Sequence, residues 1–335
     1  MAEFVSSFIT GFQELVQQDL AARFPKIKIL NLLDGLVHYR YDGDSRELEK
    51  IIYFNNTFFV LKTMKGKGLN FNSLLGAVTS SKNYFLVNKG SFRIRFVQEN
   101  QFAKVDKSLT RRAEDYVLAN SKLQLDRLSP TNEVWFSIRR EGFAFCGELI
   151  SKREFTEKNL NKGELRPEIA YFICCFADVQ PEDTVLEPFC GYGSIPLQLA
   201  KKFRFKKLFI SDIEKERVEL TKSRKQISQA QQGLIACSAA DALNLSHIAD
   251  KSISLVITDP PWGYYEDIGD IKDFYTKMFK SFARVLADDG RMIILSARKE
   301  ELEQTADAAG FKIIKSLHTL VNGKKAGLYY LVRNQ

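Results

Sequence analysis

Residues 184–203 read TVLEPFCGYGSIPLQLAKKF. Thr184–Phe189 has the make-up of a short strand and Ser194–Phe203 the length of a helix. Between them stand Gly191 and Gly193. A glycine pair at a strand-to-helix turn lets the backbone bend sharply and come close to a bound ligand. A dinucleotide fingerprint would need a third glycine at position 196, which is Pro196. That spacing speaks against NAD or FAD and suits a smaller nucleoside cofactor. Strand-like runs recur at Lys207–Ser211, Leu234–Cys237, Ile253–Thr258 and Met292–Leu295, separated for the most part by helix-length segments such as Glu214–Ala230 and Ile271–Leu286. The alternation predicts βαβ units and a parallel sheet. The pattern then changes: Phe311–Val321 and Gly327–Val332 are two strands joined by Asn322–Lys325, with no helix between them.

After the glycine loop, acidic residues mark the next two strands. Asp212 ends the second, where a carboxylate can accept both hydroxyls of a ribose, and Asp241 follows the third, where it could accept from an adenine amino group. Taken singly, the glycines could be ordinary turn residues and the acids helix caps. Their ordered succession favours a nucleoside site. After the fourth strand comes Thr258-Asp259-Pro260-Pro261-Trp262-Gly263. Adjacent prolines end the strand and fix the carbonyls around them, since neither ring nitrogen can donate a hydrogen bond. The Asp259 carboxylate and the Pro260 carbonyl can accept both hydrogens of an exocyclic amino group, and Trp262 offers a flat face to the attached base. Pro-Pro-Trp alone could be a turn with a packed indole. An apolar strand ending in Asp just before it makes the chemical reading the sharper one.

The charge of the 335-residue chain is uneven. Lys and Arg number 49 against 41 Asp and Glu, a net +8, yet between Lys62 and Arg112 eleven basic residues are opposed only by Glu99 and Asp106. A basic region of this kind suits a polyanion. Within it Phe92–Val97 alternates apolar and basic residues, as a half-exposed strand does. The residues expected to face that polyanion are Lys89, Arg93, Arg95, Lys104, Lys107, Arg111 and Arg112, joined by Trp135, Phe136, Arg139 and Arg140. A solvated lysine-rich face is the competing account of any one of them, and the favoured one for Lys62–Lys67. Around this region Phe12, Leu15, Val16 and Leu20 have helical spacing, and Ile27–Leu33 and Leu36–Tyr41 look like strands. Arg46–Asn56 and Asp106–Asn120 are expected helices, Val134–Arg139 and Ala144–Ile150 an expected strand pair, and Ser151–Gly163 a linker.

Composition narrows the class further. No apolar run reaches the ~18–20 residues of a membrane helix. The first twenty residues, with Glu3, Glu14 and Asp19, lack the basic start of a secretory signal. Five cysteines without a CxxC pair read as reduced thiols. A disulfide scaffold, a collagen, a membrane span and a disordered chain are excluded, and a cytoplasmic protein is expected.

Residues 164–335 resemble the amino-directed class I S-adenosylmethionine methyltransferases, whose hallmark is (D/N)PP(Y/F/W). The set Leu165–Ala170, Glu187–Gly193 and Thr258–Gly263 is similar to the THUMP-containing RNA methyltransferases, which include tRNA and rRNA guanine-N2 enzymes. Phe4–Leu20 resembles that family's ferredoxin-like start, and Phe92–Val97 with Asn132–Leu149 a THUMP module. The resemblance implies a Rossmann-like α/β sheet ending in an antiparallel hairpin, preceded by an α+β RNA-binding region. The implied division is 1–60 ferredoxin-like, 61–150 THUMP-like, 151–163 linker and 164–335 catalytic. It further implies that S-adenosylmethionine is held by Arg166, Pro167, Glu187, Pro188, Phe189, Cys190, Gly191, Gly193, Asp212, Ile213, Asp241, Ala242 and Asp259. The methyl acceptor would be guanine N2, in tRNA before rRNA, acted on by Asp259, Pro260, Pro261 and Trp262, with no metal and as a monomer. Two departures stand out: Glu187 replaces the family's usual Asp, and Tyr192 fills a usually small position. Trp262 in place of Tyr also occurs in adenine-N6 enzymes, which makes adenine N6 the alternative acceptor. A protein glutamine methyltransferase usually begins the tetrapeptide with Asn, and a vestigial, non-catalytic RNA-binding factor would not need Gly191, Gly193, Asp212 and Asp259 intact.

Overall fold

The computed structural model describes residues 2–153, 160–230, 233–264 and 268–334. The central part of the expected linker thus lies outside the described residues. The chain forms two compact units, one of residues 2–8 and 16–153, the other of residues 9–15 and 160–334.

In the first unit the elements run β1 (Ala2–Ser7), α1 (Gln13–Arg23, from residue 16 in this unit), β2 (Ile27–Leu33), β3 (Leu36–Tyr41), β4 (Asn56–Lys65), α2 (Phe71–Thr79), β5 (Ser91–Gln98), β6 (Gln101–Phe102), α3 (Lys107–Asn120), β7 (Gln124–Leu125), β8 (Asn132–Arg139) and β9 (Phe143–Lys152). One sheet joins the strands in the order β2-β3-β1-β4-β9-β8-β5-β6, with β7 beside β5. Residue 60, the expected end of a first domain, lies in the middle of β4. Alternation along β5 sends Phe92 and Phe96 into a core shared with α2 and α3, and Arg93 and Arg95 to the other face. The helix expected over Arg46–Asn56 is only a 3-10 turn, Ser45–Lys50, started by the Asp44 side chain accepting from the Arg46 amide at 3.0 Å. Beyond it the chain is not helical, and Ile51, Tyr53 and Phe54 are all buried.

The second unit holds α4 (Pro167–Phe176), β10 (Thr184–Glu187), α5 (Ser194–Lys202), β11 (Lys207–Asp212), α6 (Lys215–Ser223), α7 (Lys225–Ser228), β12 (Ile235–Ala239), β13 (Ile253–Thr258), α8 (Ile271–Val285), β14 (Leu286–Ser296), α9 (Lys299–Ala308), β15 (Phe311–Val321) and β16 (Lys324–Arg333). Its sheet runs β12-β11-β10-β13-β14-β16-β15. Every pairing among the first five strands is parallel, and β16 lies antiparallel between β14 and β15. This is the Rossmann-like sheet with a terminal hairpin. The single helix expected over Glu214–Ala230 is two, because Arg224 adopts an extended conformation between α6 and α7. The expected four-residue hairpin link is shorter. Asn322 (φ 49°) and Gly323 (φ 77°) turn the chain alone, the left-handed pair that matches the twist of two flanking strands, so β16 already begins at Lys324. Residues 9–15 contribute Phe12, stacked on Phe172 at 4.5 Å, and the Thr10 carbonyl, which accepts from the Thr319 hydroxyl at 2.8 Å.

Strand order reverses at β10, which has β11 on one side and β13 on the other. In sheets of this kind the crevice at such a switch point, beyond the carboxyl ends of the strands, is where ligands bind. Among the described residues no helix is long and apolar enough to cross a membrane.

Candidate active site

The chain leaves β10 through Pro188 into the glycine loop. The Cys190 amide donates to the Ser211 carbonyl at 3.0 Å and the Gly193 amide to the Cys190 carbonyl at 2.7 Å, while Gly191 (φ 49°) and Gly193 (φ 82°) take the left-handed conformation. The two glycines serve different ends. A Cβ on Gly193 would sit 2.6 Å from the Thr221 hydroxyl, so helix α5 can approach α6 only without a side chain there. A Cβ on Gly191 would meet nothing within 4 Å, since that residue faces the open crevice. Gly193→Ala is therefore expected to cost roughly 2–5 kcal/mol, from left-handed strain plus overpacking. Gly191→Ala should carry only the strain, roughly 1–2 kcal/mol, but lose cofactor affinity. Thermal unfolding with and without S-adenosylhomocysteine separates the two. Equal melting temperatures for both variants would contradict the assignment.

At the end of β11 the Asp212 Oδ2 accepts from the Gly191 amide at 2.8 Å and Oδ1 from the Glu214 amide at 3.0 Å, which locks the carboxylate beside the glycine loop. Next to it Ile213 is 72% exposed, an apolar side chain left in water. Asp241 accepts from the Leu243 amide at 2.8 Å, so one of its oxygens does act as a cap, and Ala242 is buried beside it. Arg166 directs its Nε to Glu168 at 2.7 Å, Pro167 starts α4, and the Ser194 hydroxyl ties α5 to the Leu165 carbonyl at 2.9 Å. The Cys190 thiol is buried and its pKa is pushed up, chiefly by burial, as suits a packed thiol and not a nucleophile. Tyr192 stacks on the Arg217 guanidinium, 3.8 Å from the ring centroid.

Glu187 lies at the floor of the crevice and is fully buried. Its Oε1 accepts from the Thr258 hydroxyl at 2.6 Å and from the Phe189 amide at 3.0 Å, whereas Oε2 is enclosed without a hydrogen-bond partner. Burial, reinforced by the charges of Asp259 and Asp212, pushes its pKa up to about 8. A buried carboxyl with one orphaned oxygen at the floor of a nucleoside crevice fits a ligand carrying a cationic amino group.

Across the switch point β13 ends at Thr258, and Asp259 follows, half-buried, with its Oδ1 enclosed and unpartnered. Burial raises its pKa to about 7, against the opposing pull of the Trp262 indole N–H. Pro260 is buried and Pro261 half-buried. The Trp262 indole is half-buried, its Nε1 donating to the Leu295 carbonyl at 3.3 Å, and its own carbonyl accepts from Arg298 Nε at 2.8 Å. The Arg298 amide in turn donates to the Ser296 hydroxyl at 2.9 Å, and Ser296 bonds Tyr275 at 2.8 Å. Two acceptors and a flat ring are thus held beside the glycine loop by the ends of β13 and β14.

Residues 153–326, more than half of the chain, match the profile of the RMKL-like methyltransferase domain. The chain belongs to that family. It is 24% identical to a tRNA (guanine(6)-N2)-methyltransferase of Thermus thermophilus over 65% of this chain and 66% of the relative. A protein of the same description from Methanocaldococcus jannaschii is 21% identical over 96% of this chain and 97% of its own length. Across the first four curated relatives it matches, the chain spans between 25% and 66% of their length. Among solved structures, TrmN from Thermus thermophilus shares the fold, with a TM-score of 0.79 at 20% identity, over 99% of this chain and 100% of that one. The cofactor that this family's domain implies is S-adenosylmethionine, and the open face at Gly191, the Asp212 carboxylate, the exposed Ile213 and the orphaned Glu187 oxygen fit it.

Sequence reasoning missed Thr258 as a partner of Glu187, and it missed Tyr264, Ser296, Arg298 and Lys324 around the methyltransferase's tryptophan. Tyr264, two residues after Trp262, could have been singled out as a second aromatic. The other three come from distant strand ends and carry no local signal.

In the first unit Lys89, Lys104, Lys107, Arg111, Arg112 and Arg140 are exposed. Arg93 is paired with Glu133, and Arg95 lies over the Phe102 ring at 4.7 Å. Two expectations need correction. Arg139 is 6% exposed and its guanidinium is consumed by Asn100 Oδ1 (2.6 Å), the Asp34 carbonyl (2.8 Å) and Glu141 (3.0 Å), so it braces loops and does not face RNA. Phe136 is buried against Phe96 at 5.2 Å, because strand alternation sends it to the face opposite Trp135.

Proposed function

We propose that this protein methylates the exocyclic N2 of a guanine in tRNA. The observation that carries the reading is the half-buried Asp259 carboxylate, with an unpartnered oxygen, held next to the Pro260 carbonyl and the Trp262 ring at the end of β13. When bound, S-adenosylmethionine supplies an electrophilic methyl group on its sulfonium. An amino nitrogen attached to a base is a poor nucleophile, because its lone pair is delocalised into the ring. Asp259 and the Pro260 carbonyl would accept its two hydrogens, orient the lone pair and stabilise the positive charge that develops on nitrogen. Trp262 would support the base once it leaves its stack. Asp259 acts here as an acceptor and need not take the proton, which can depart to solvent after transfer. Glu187 would hold the cationic amino end of the cofactor, and Asp212 and Ile213 its nucleoside.

The first unit would dock the RNA through Lys89, Lys104, Lys107, Arg111, Arg112 and Arg140, with Arg93 and Arg95 beside them, as a ferredoxin-like and THUMP-like region. That reading leans on the clustering of exposed positive charge and on the relatives from Thermus thermophilus and Methanocaldococcus jannaschii, which are tRNA methyltransferases. Labelled S-adenosylmethionine with total tRNA and, separately, rRNA, followed by nucleoside mass spectrometry, tests it. N2-methylguanosine from tRNA is the expected product. N6-methyladenosine would overturn the base, a product from rRNA alone would overturn the substrate, and no product with cofactor bound would overturn both.

A further inference from the structure

Beyond Trp262 the loop places Tyr264 at the surface, 43% exposed and edge-on to the indole at 6.4 Å. Two cations meet on this one ring: the Arg298 guanidinium lies 4.4 Å and the Lys324 ammonium 3.7 Å from its centroid. They arrive from unconnected elements. Arg298 follows β14, and Lys324 is the first residue of β16, held forward by the tight Asn322-Gly323 turn. Arg298 is also fixed in place, because its Nε is bound to the Trp262 carbonyl at 2.8 Å.

Among the described residues the pair meets a single carboxylate, that of Glu301, and only at long range. Glu301 stands 4.0 Å from Arg298 Nη1, outside hydrogen-bond distance, and among the described residues no carboxylate forms an ion pair with Lys324. Two like charges drawn to one ring repel each other, and the ring quadrupole offsets only part of that cost. An anion shared between them removes it. Arg298 has both terminal nitrogens available for a planar, two-point contact with phosphate oxygens, and Lys324 adds a compact point charge.

Resting on the reading of this site as one that takes a base out of RNA, we infer that Arg298 and Lys324, assembled on Tyr264, form a clamp for a backbone phosphodiester next to the target nucleotide. The clamp adjoins Trp262 through the Arg298 bond to its carbonyl and the Tyr264 ring edge, so seating the phosphate positions the base instead of merely raising overall attraction. Phosphate contacts set register in just this way and leave base identity to the pocket.

Lys324→Gln is the discriminating change, because Lys324 makes no contact with Trp262 or the cofactor loop. Lys325, exposed and on the opposite face of the same strand, supplies the control Lys325→Gln. With the full chain and unfractionated tRNA, Lys324→Gln should raise KM for tRNA 5–10-fold and leave kcat within about threefold. Its plot of log affinity against log salt should lose about one in slope, the mark of one phosphate contact removed. Lys324→Arg should restore both, Lys325→Gln should change neither, and affinity for S-adenosylhomocysteine should be the same in all. A Lys324→Gln protein that methylates tRNA with wild-type KM and salt slope overturns the clamp and leaves the guanine reading standing. If the wild-type protein neither binds nor methylates tRNA, the guanine reading falls and the clamp with it.

Discussion

Asp259→Ala is expected to slow methyl transfer by roughly 10²–10³-fold or more, the range seen when one preorganised charge-stabilising group is removed from an active site. RNA binding should survive, since Asp259 contributes its carboxylate to the acceptor amine and little to the docking of the RNA. The carboxylate is the working form. With the pKa held up near 7, kcat should rise between about pH 6 and pH 8 and then level off. Below that range a proton occupies one oxygen and the side chain no longer supplies the negative charge that the nitrogen needs. Asp259→Asn keeps the shape and one acceptor, so it should be slow and its pH profile flat. Glu187 titrates nearby, but Glu187→Gln should retain the step, which assigns it to Asp259. An alanine variant within tenfold of wild type would end this account of the chemistry.

Glu187→Gln is expected to do two opposite things. In the folded protein the pKa of Glu187 is raised to about 8, well above its ordinary value of 4.5. As pH rises from about 4.5 the unfolded chain gives up this proton and the folded chain keeps it, so stability is lost progressively until about pH 8 and then stays constant. Gln has no proton to give up, and its carbonyl can still accept from Thr258 and Phe189. The variant should therefore match wild type near pH 4 and be more stable, by roughly 2–4 kcal/mol, at pH 8.5. Cofactor binding should move the other way. Loss of a charge-assisted bond to the cationic amino group, worth roughly 1.5–3 kcal/mol, weakens affinity about 10–100-fold. Wild type should release a proton on binding near pH 7 and the variant should not, which calorimetry in buffers of different ionisation enthalpy reads directly. A variant less stable than wild type at pH 8.5, or one with unchanged cofactor affinity, would show that Glu187 is only a structural acid.

Much of the catalytic unit could be read locally. Ile253–Thr258 and Phe311–Val321 are strands with the limits expected of them, and α5 and α8 differ from expectation by a single residue at the end. These segments have clear periodicity bounded by Gly, Asp or Pro. Strand β4 and helices α2, α4 and α9 were not anticipated. Strand β4 runs FFVLKTM without clean alternation, and α4 is buried on nearly every side, so neither shows the two-faced pattern that marks an element at a surface.

Local residue order was enough to set the turns and the chain of acceptors: glycines where φ must be positive, prolines after Asp259, an acid at or just after the ends of β10, β11, β12 and β13. Those features depend on neighbours a few residues apart, whose sterics and hydrogen bonds are fixed by covalent geometry. Folding in three dimensions decided the rest. It enclosed Glu187 and left one oxygen without a partner, consumed Arg139 in loop contacts and turned Phe136 inward. It also brought Arg298 and Lys324 onto Tyr264 from separate strands. Desolvation and charge pairing depend on everything that closes around a group, and the residues that close around these lie tens of positions away along the chain.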